Sequence, residues 1–214
     1  MSGDGPSRDR RVSRARELIE RCGIREELGD DEAIRRADEI AAAAERYAET
    51  AGAANAAVLD EHLRDEFELH DADATMATMT ADPYLHHVPV LTGGVGREAV
   101  HRFYRDDFVS AWPKDTETQR ISRTAAANSV VDEVIVSFTH DTEMPFMLPG
   151  VEPTGRPVDL PHTVVVGFDD GKVAHEHIYW DQACVLAQIG LLDPEDLPIT
   201  GAEQARALRK VAGS

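Results

Sequence analysis

Long apolar runs are the first thing this chain of 214 residues lacks. No stretch is long and apolar enough to span a bilayer, and the opening MSGDGPSRDRRVSRARE has no apolar centre of the kind a secretory leader carries. A soluble, cytoplasmic protein is expected. Cysteine is nearly absent: Cys22 and Cys184 stand far apart without ligand-like spacing, so neither a disulfide framework nor a thiolate metal site is indicated. Positive charge is also short, with 22 Lys+Arg against 40 Asp+Glu and a formal net charge of -18. Such a balance repels phosphate backbones and anionic lipid, so neither nucleic acid nor membrane is an expected partner. Two catalytic signatures are missing as well. There is no Gly-X-Ser-X-Gly elbow, and TGGVG, from Thr92 to Gly96, lacks the lysine and glycine spacing of a phosphate loop and reads as a turn.

What is present fits one domain with an extension. Residues 1–54 read as a disordered start, through Arg11, and a helical arm. In the arm Val12, Ala15, Leu18, Ile19 and Cys22 share one side of a short helix that Gly23 ends, and a second helix runs from about Asp31 to Thr50. Residues 55–214 read as the main domain with a helical tail. A helix marked by Leu59, Leu63 and Phe67 opens it, and a short helix with an acidic start at Asp71 follows, placing Met76 and Met79 in the core. Tyr84 to Leu91 reads as a strand, and the helix after the glycines carries an apolar stripe of Val100, Phe103, Tyr104 and Phe108. From about Glu117 the pattern is one of strands, with Asp169, Asp170 and Gly171 as a hairpin turn. Helices first and then an antiparallel meander define an α+β fold.

The stretch from Gly171 to Asp193, GKVAHEHIYWDQACVLAQIGLLD, changes from strand to helical period at Asp181. Alternation places His175, His177, Tyr179 and Asp181 on one face of the strand and Ala174, Glu176, Ile178 and Trp180 on the other. Asp181 either caps the following helix or points with His177 into whatever the sheet encloses, and the residues leave both open. In an apolar enclosure a carboxyl loses hydration and its pKa rises toward the range useful for proton transfer, while His177, His87 or Tyr179 can donate to a developing enolate. The loop from Thr142 to Gly155, TEMPFMLPGVEPTG, is too apolar to face water and reads as a lid over a cavity, with Met144 and Phe146 in its apolar run.

The order of these elements, with HHVPVLTGGVG, the PTGRPV turn and DGKVAHEHIYWDQACVLAQIGLL, resembles the SnoaL-like polyketide cyclases of the nuclear-transport-factor-2-like superfamily, over roughly Asn55 to Leu192. The resemblance implies a cone-shaped, curved antiparallel sheet wrapped around helices, with a deep pocket and a homodimer. It implies cofactor-independent cyclase, isomerase, dehydratase or hydrolase chemistry, or ligand binding and dimerisation alone. It also implies that the acidic residue closing the last strand, Asp181, is the general acid/base, and that His87, two residues before Pro89, belongs to the site. The expected catalytic residues are then Asp181, His177 and His87. Tyr179, His140, His162, Met144, Phe146, Trp180 and Phe103 are expected around a small-molecule ligand, a hydrophobic carbonyl or lactone-type compound. No cofactor is expected. The alternative, a metal held by His175 and His177 with His140 and His162, yields to hydrogen-bonded pocket histidines, and no metal is expected.

Overall fold

The computed structural model describes residues 8–24 and 27–213. The chain divides into two compact units, Met1–Thr50 and Ala51–Ser214. Of the expected disordered start, residues 1–7 lie outside the described residues, whereas residues 8–11 already belong to a helix, α1 (Arg8–Arg21). Their arginines find acidic partners along the next helix, Asp31 for Arg8 at 2.7 Å and Asp38 for Arg11 at 3.6 Å. These exposed pairs contribute little; the packing of Ala15 and Ile19 on Ala33 and Ala37 holds this unit together.

The two helices expected over 31–50 and 57–67 are one, α2 (Asp30–Phe67), of 38 residues. Nothing in AETAGAANAA stops it: the segment is alanine-rich and free of proline. Its glycine serves close approach instead, since a Cβ at Gly52 would stand 3.1 Å from the carbonyl of Ala125. Three residues on, Asn55 Nδ2 donates to the carbonyls of Ala126 and Ala127 at 3.2 and 3.1 Å. The expected domain boundary between residues 54 and 55 therefore falls inside a helix. The helix α3 (Ala72–Ala77) is capped by Asp71, whose side chain accepts from the amides of Asp73 and Ala74, and it buries Met76.

Six strands follow: β1 (Met79–His87), β2 (Thr92–Val95), β3 (Glu117–Ala126), β4 (Ser129–Thr139), β5 (Pro157–Asp169) and β6 (Lys172–Trp180). They lie in the order β2-β1-β6-β5-β4-β3 in one curved, unclosed sheet. The sheet is mixed, not purely antiparallel, because β1 and β6 run parallel, with Leu85 beside Glu176 and His87 beside Ile178. The segment read as a turn, TGGV, is the edge strand β2. Its glycines are what let it pair: a Cβ at Gly93 would meet the Leu85 carbonyl at 2.1 Å, and one at Gly94 the backbone of Ala99 at 2.7 Å.

Between β2 and β3 lie α4 (Arg97–Phe103) and a π-helical turn (Tyr104–Phe108) that bury Val100, Phe103, Tyr104 and Phe108 against the concave face of the sheet. Two helices end the chain, α5 (Gln182–Gln188) and α6 (Glu203–Ala212). Alternation then sorts the last strand as the physics of a one-sided core requires. Glu176, Ile178 and Trp180 are buried, and His175, His177 and Tyr179 are half-buried or exposed.

Candidate active site

The concave face encloses a cavity of about 940 Å³. Its walls are mainly apolar and aromatic, with Phe67, Phe108, Trp112, Phe146 and Trp180 among them. The exposed members of its lining come from three segments: the end of α2 and the turn after it (Asp60, Arg64, Glu68, His70), the connection after the π-helical turn (Ser110, Lys114) and β3 (Thr118, Arg120). Those segments form the mouth. The apolar run of the loop after β4, Met144, Phe146, Met147 and Leu148, is fully buried. It was expected as a lid and is instead an inner wall, with Phe146 and Met147 lining the cavity. Thr92 Oγ1 donates to the Phe146 carbonyl at 2.6 Å and Gln182 Nε2 to that of Met147 at 3.3 Å, fixing the segment to β2 and α5.

One polar cluster interrupts this apolar surface. His62 and Glu66, one turn apart on α2, meet Glu176 of β6 and Tyr104, and all four are buried. His62 Nε2 lies 2.8 Å from Glu176 Oε1, 3.1 Å from Glu66 Oε1 and 3.2 Å from the Tyr104 hydroxyl. The hydrogens can be counted. The Thr78 hydroxyl gives its proton to the Thr75 carbonyl, so His62 Nδ1, 2.6 Å away, must donate to it. The Tyr104 hydroxyl gives its proton to Glu176 Oε1 at 2.9 Å, so at Nε2 it can only accept. Both ring nitrogens carry hydrogen, and His62 is an imidazolium. Burial alone would lower its pKa; Coulombic attraction to Glu66 and Glu176 outweighs it and holds the pKa well above the usual imidazole value. Burial likewise pushes the Glu66 carboxyl up, against the pull of His62. Glu66 Oε1 receives no hydrogen bond. Glu66 and Glu176 line the cavity, and His62 and Tyr104 stand behind them.

Two neutral imidazoles share the same cavity. Thr92 spends its hydroxyl proton on Phe146, so His87 Nδ1 donates to Thr92 Oγ1 at 3.2 Å; His162 Nδ1 donates to the Leu160 carbonyl at 3.3 Å. Each is left with a lone pair at Nε2. Burial, with a smaller contribution from neighbouring histidines, lowers the His87 pKa to about 3, and burial lowers that of His162 to about 4.

The expected site residues thus separate. His87, His162, Phe146 and Trp180 line the cavity. Phe103 packs behind His87 at 5.4 Å between ring centroids, and Met144 lies in the core beside the wall. His140 is buried outside the lining, with Thr154 against its Nδ1 and no partner at Nε2. Asp181 and His177, expected as catalytic, are elsewhere. Asp181 is exposed: its Oδ1 caps α5 through the Cys184 amide at 3.2 Å and its Oδ2 accepts from Gln204 of α6 at 2.6 Å. His177 and Tyr179 face outward, where His177 Nε2 contacts the Tyr84 hydroxyl at 3.2 Å and His175 stacks on Tyr84. The strand's inward face is the one carrying Glu176, because Ile178 and Trp180 are the side chains that must leave water. The alternative histidine set does not converge either, since His162 points inward while His175 and His177 point outward.

Sequence reasoning missed His62, Glu66 and Glu176, and a signal was there. Glu176 shares its strand face with Ile178 and Trp180, and His62 and Glu66 interrupt the stripe of Leu59, Leu63 and Phe67. A charged residue on an apolar face is either paired or functional.

Two outcomes follow from these positions. Replacing Asp181 by Ala removes the α5 cap and the α6 contact and should lower stability by about 1 kcal/mol in urea unfolding, with Asp181→Asn losing less because it can still accept from Cys184. For His87 and His162 the folded pKa lies below the ordinary 6.5. The unfolded state therefore binds protons first on acidification. Their contribution is complete above about pH 6.5 and is lost as pH falls toward 4 and 3, so urea midpoints should drop over that window, and His162→Gln should flatten the drop.

The family model for SnoaL-like polyketide cyclase matches residues 41–189, more than half of the chain. No curated protein matches. Solved structures share the fold at low identity. One is a protein from Jannaschia sp. CCS1 provisionally named a SnoaL-like polyketide cyclase, 21% identical, covering 66% of this chain and 94% of its own, with a TM-score of 0.54. Another is AclR from Streptomyces galilaeus, provisionally named a hydroxylase, 20% identical over 76% of this chain and 98% of its own, with a TM-score of 0.52. A provisionally named polyketide cyclase from Xanthomonas campestris pv. campestris is 17% identical over 65% of this chain and 98% of its own, with a TM-score of 0.50. With its family model matched from within α2 to the end of α5, across the cavity and the sheet described above, this chain belongs to the SnoaL-like polyketide cyclase family.

Proposed function

We propose that this chain is a small-molecule enzyme that moves protons on a neutral, hydrophobic carbonyl or lactone-type substrate held in the cavity. The single observation that carries the reading is Glu66 Oε1, a buried carboxylate oxygen without a hydrogen-bond donor in the wall of an apolar chamber. A base so placed has lost the water that would compete for its lone pair. Glu66 takes the proton from a carbon beside the substrate carbonyl, and the negative charge moves to the carbonyl oxygen. Trp112 Nε1, buried in the same lining and also without a partner, donates to that oxygen. His62 holds the Glu66 and Glu176 carboxylates in place, and the Nε2 lone pairs of His87 and His162 accept from substrate hydroxyls. The two carboxylates and the acidic chain disfavour an anionic substrate. Asp181 and His177 have no part in this chemistry.

The test is exchange of α-protons of cyclic ketones and lactones with deuterated water, followed by proton NMR. Glu66→Gln should slow it about 10²- to 10⁴-fold with the fold intact. Exchange that survives in Glu66→Gln rejects the assignment, and ligand retention without any exchange favours the second reading, a binding domain, which the fixed neutral state of His87 and His162 supports. Two free thiols, one exposed and one buried, support a cytoplasmic setting. We propose a homodimer through the convex sheet face, where Tyr84 and Tyr179 are exposed. Light scattering on the full-length chain should give twice the chain mass, and a monomer mass would reject this pairing.

A further inference from the structure

Hydrogen bonding accounts poorly for the contacts of His62. Its Nε2 has one hydrogen, yet three oxygens lie within 3.2 Å of it, and Glu66 Oε1 at 3.1 Å is left without a donor. Neither Glu66 nor Glu176 pairs with a lysine or arginine among the described residues. A single proton cannot satisfy both acids, but one divalent cation would.

We propose that His62 Nε2, Glu66 Oε1 and Glu176 Oε1 form a three-ligand site for a divalent metal ion in the cavity wall. These three residues are the one group of potential ligands among the described residues whose donor atoms converge, all within 4.8 Å of one another. The separations of 2.8 and 3.1 Å from Nε2 match neighbouring ligands at right angles around an ion with bonds of about 2.1 Å, which stand about 3.0 Å apart. Outer partners of the kind such sites need are already in place. His62 Nδ1 donates to Thr78, which directs Nε2 at the ion, and Tyr104 donates to Glu176. One imidazole and two carboxylates suit zinc, manganese or iron, and because Glu66 and Glu176 line the cavity the remaining positions face the ligand space. On binding, Nε2 releases its proton to water and gives its lone pair to the ion. The bound ion then holds the oxygen that abstracts the proton, making the ion a switch that turns proton transfer off; that consequence alone rests on the proposed activity.

The test uses full-length protein stripped with chelator and titrated with Mn²⁺ or Zn²⁺ by calorimetry, with metal analysis after dialysis. One ion per chain is expected, with visible absorption from bound Co²⁺ as a second readout. Glu66→Gln should weaken binding at least 10-fold and erase the cobalt bands, and His177→Ala, on the outer face, should leave both unchanged. If Glu66→Gln does not fold, Glu176→Gln carries the same expectation. Absence of a retained ion, or binding that Glu66→Gln leaves unaltered, overturns the site. No substrate enters these measurements, so a failed proton-exchange assay leaves them standing, and exchange in a protein that binds no ion sinks the metal site alone.

Discussion

An imidazolium wedged between two carboxylates, out of reach of water, is the constraint around which the rest of this molecule is arranged. Taking three charges out of water is costly, and their mutual attraction repays the cost only if each is held at close range. Removing His62 would leave two buried carboxylates uncompensated, at a penalty of about 3–5 kcal/mol. The fold meets that demand by bringing together three separate parts of the chain: α2 supplies His62 and Glu66, the π-helical turn supplies Tyr104, and β6 supplies Glu176. The wide turn matters here, because it is where an otherwise apolar stripe delivers a hydroxyl to the cluster.

Holding α2 against the sheet is the second requirement. Gly52 allows the β3–β4 turn to approach the helix, and Asn55 ties the two carbonyls of that turn to it. Further along, Arg123 of β3 pairs with Asp60 at 2.7 Å and with the buried Asp132 at 2.6 Å. These contacts hold the helix against β3 and the β3–β4 turn, so the distance from Glu66 to Glu176 is set by the scaffold and not by the side chains alone.

Much of this was legible in the sequence. Strand and helix periods located β3 to β6, the acidic start of α3 at Asp71, the change from strand to helix at Asp181 and the buried stripe from Val100 to Phe108, because those segments obey a single local rule. Alternation sorted the two faces of β6 correctly. What it could not supply was which face is concave: two histidines, a tyrosine and an aspartate looked chemical, and Glu176 beside Ile178 and Trp180 looked incidental. The decision belongs to apolar area, and tryptophan and isoleucine outweigh histidine. The parallel pairing of β1 with β6 and the continuity of α2 were hidden for a related reason. Both are fixed by contacts between residues far apart in the chain, and neither a glycine in a helix nor a glycine pair in an edge strand declares whether it breaks an element or lets a neighbour come close.

Met144, Phe146, Met147 and Leu148 are buried, and the exposed residues of the cavity lining come from the end of α2 and the turn after it, the connection after the π-helical turn, and β3. Exposed lining gathered in those segments constrains how an occupant comes and goes. A molecule leaving through those segments passes where the next one arrives, so a bound occupant and an incoming one contend for the same passage.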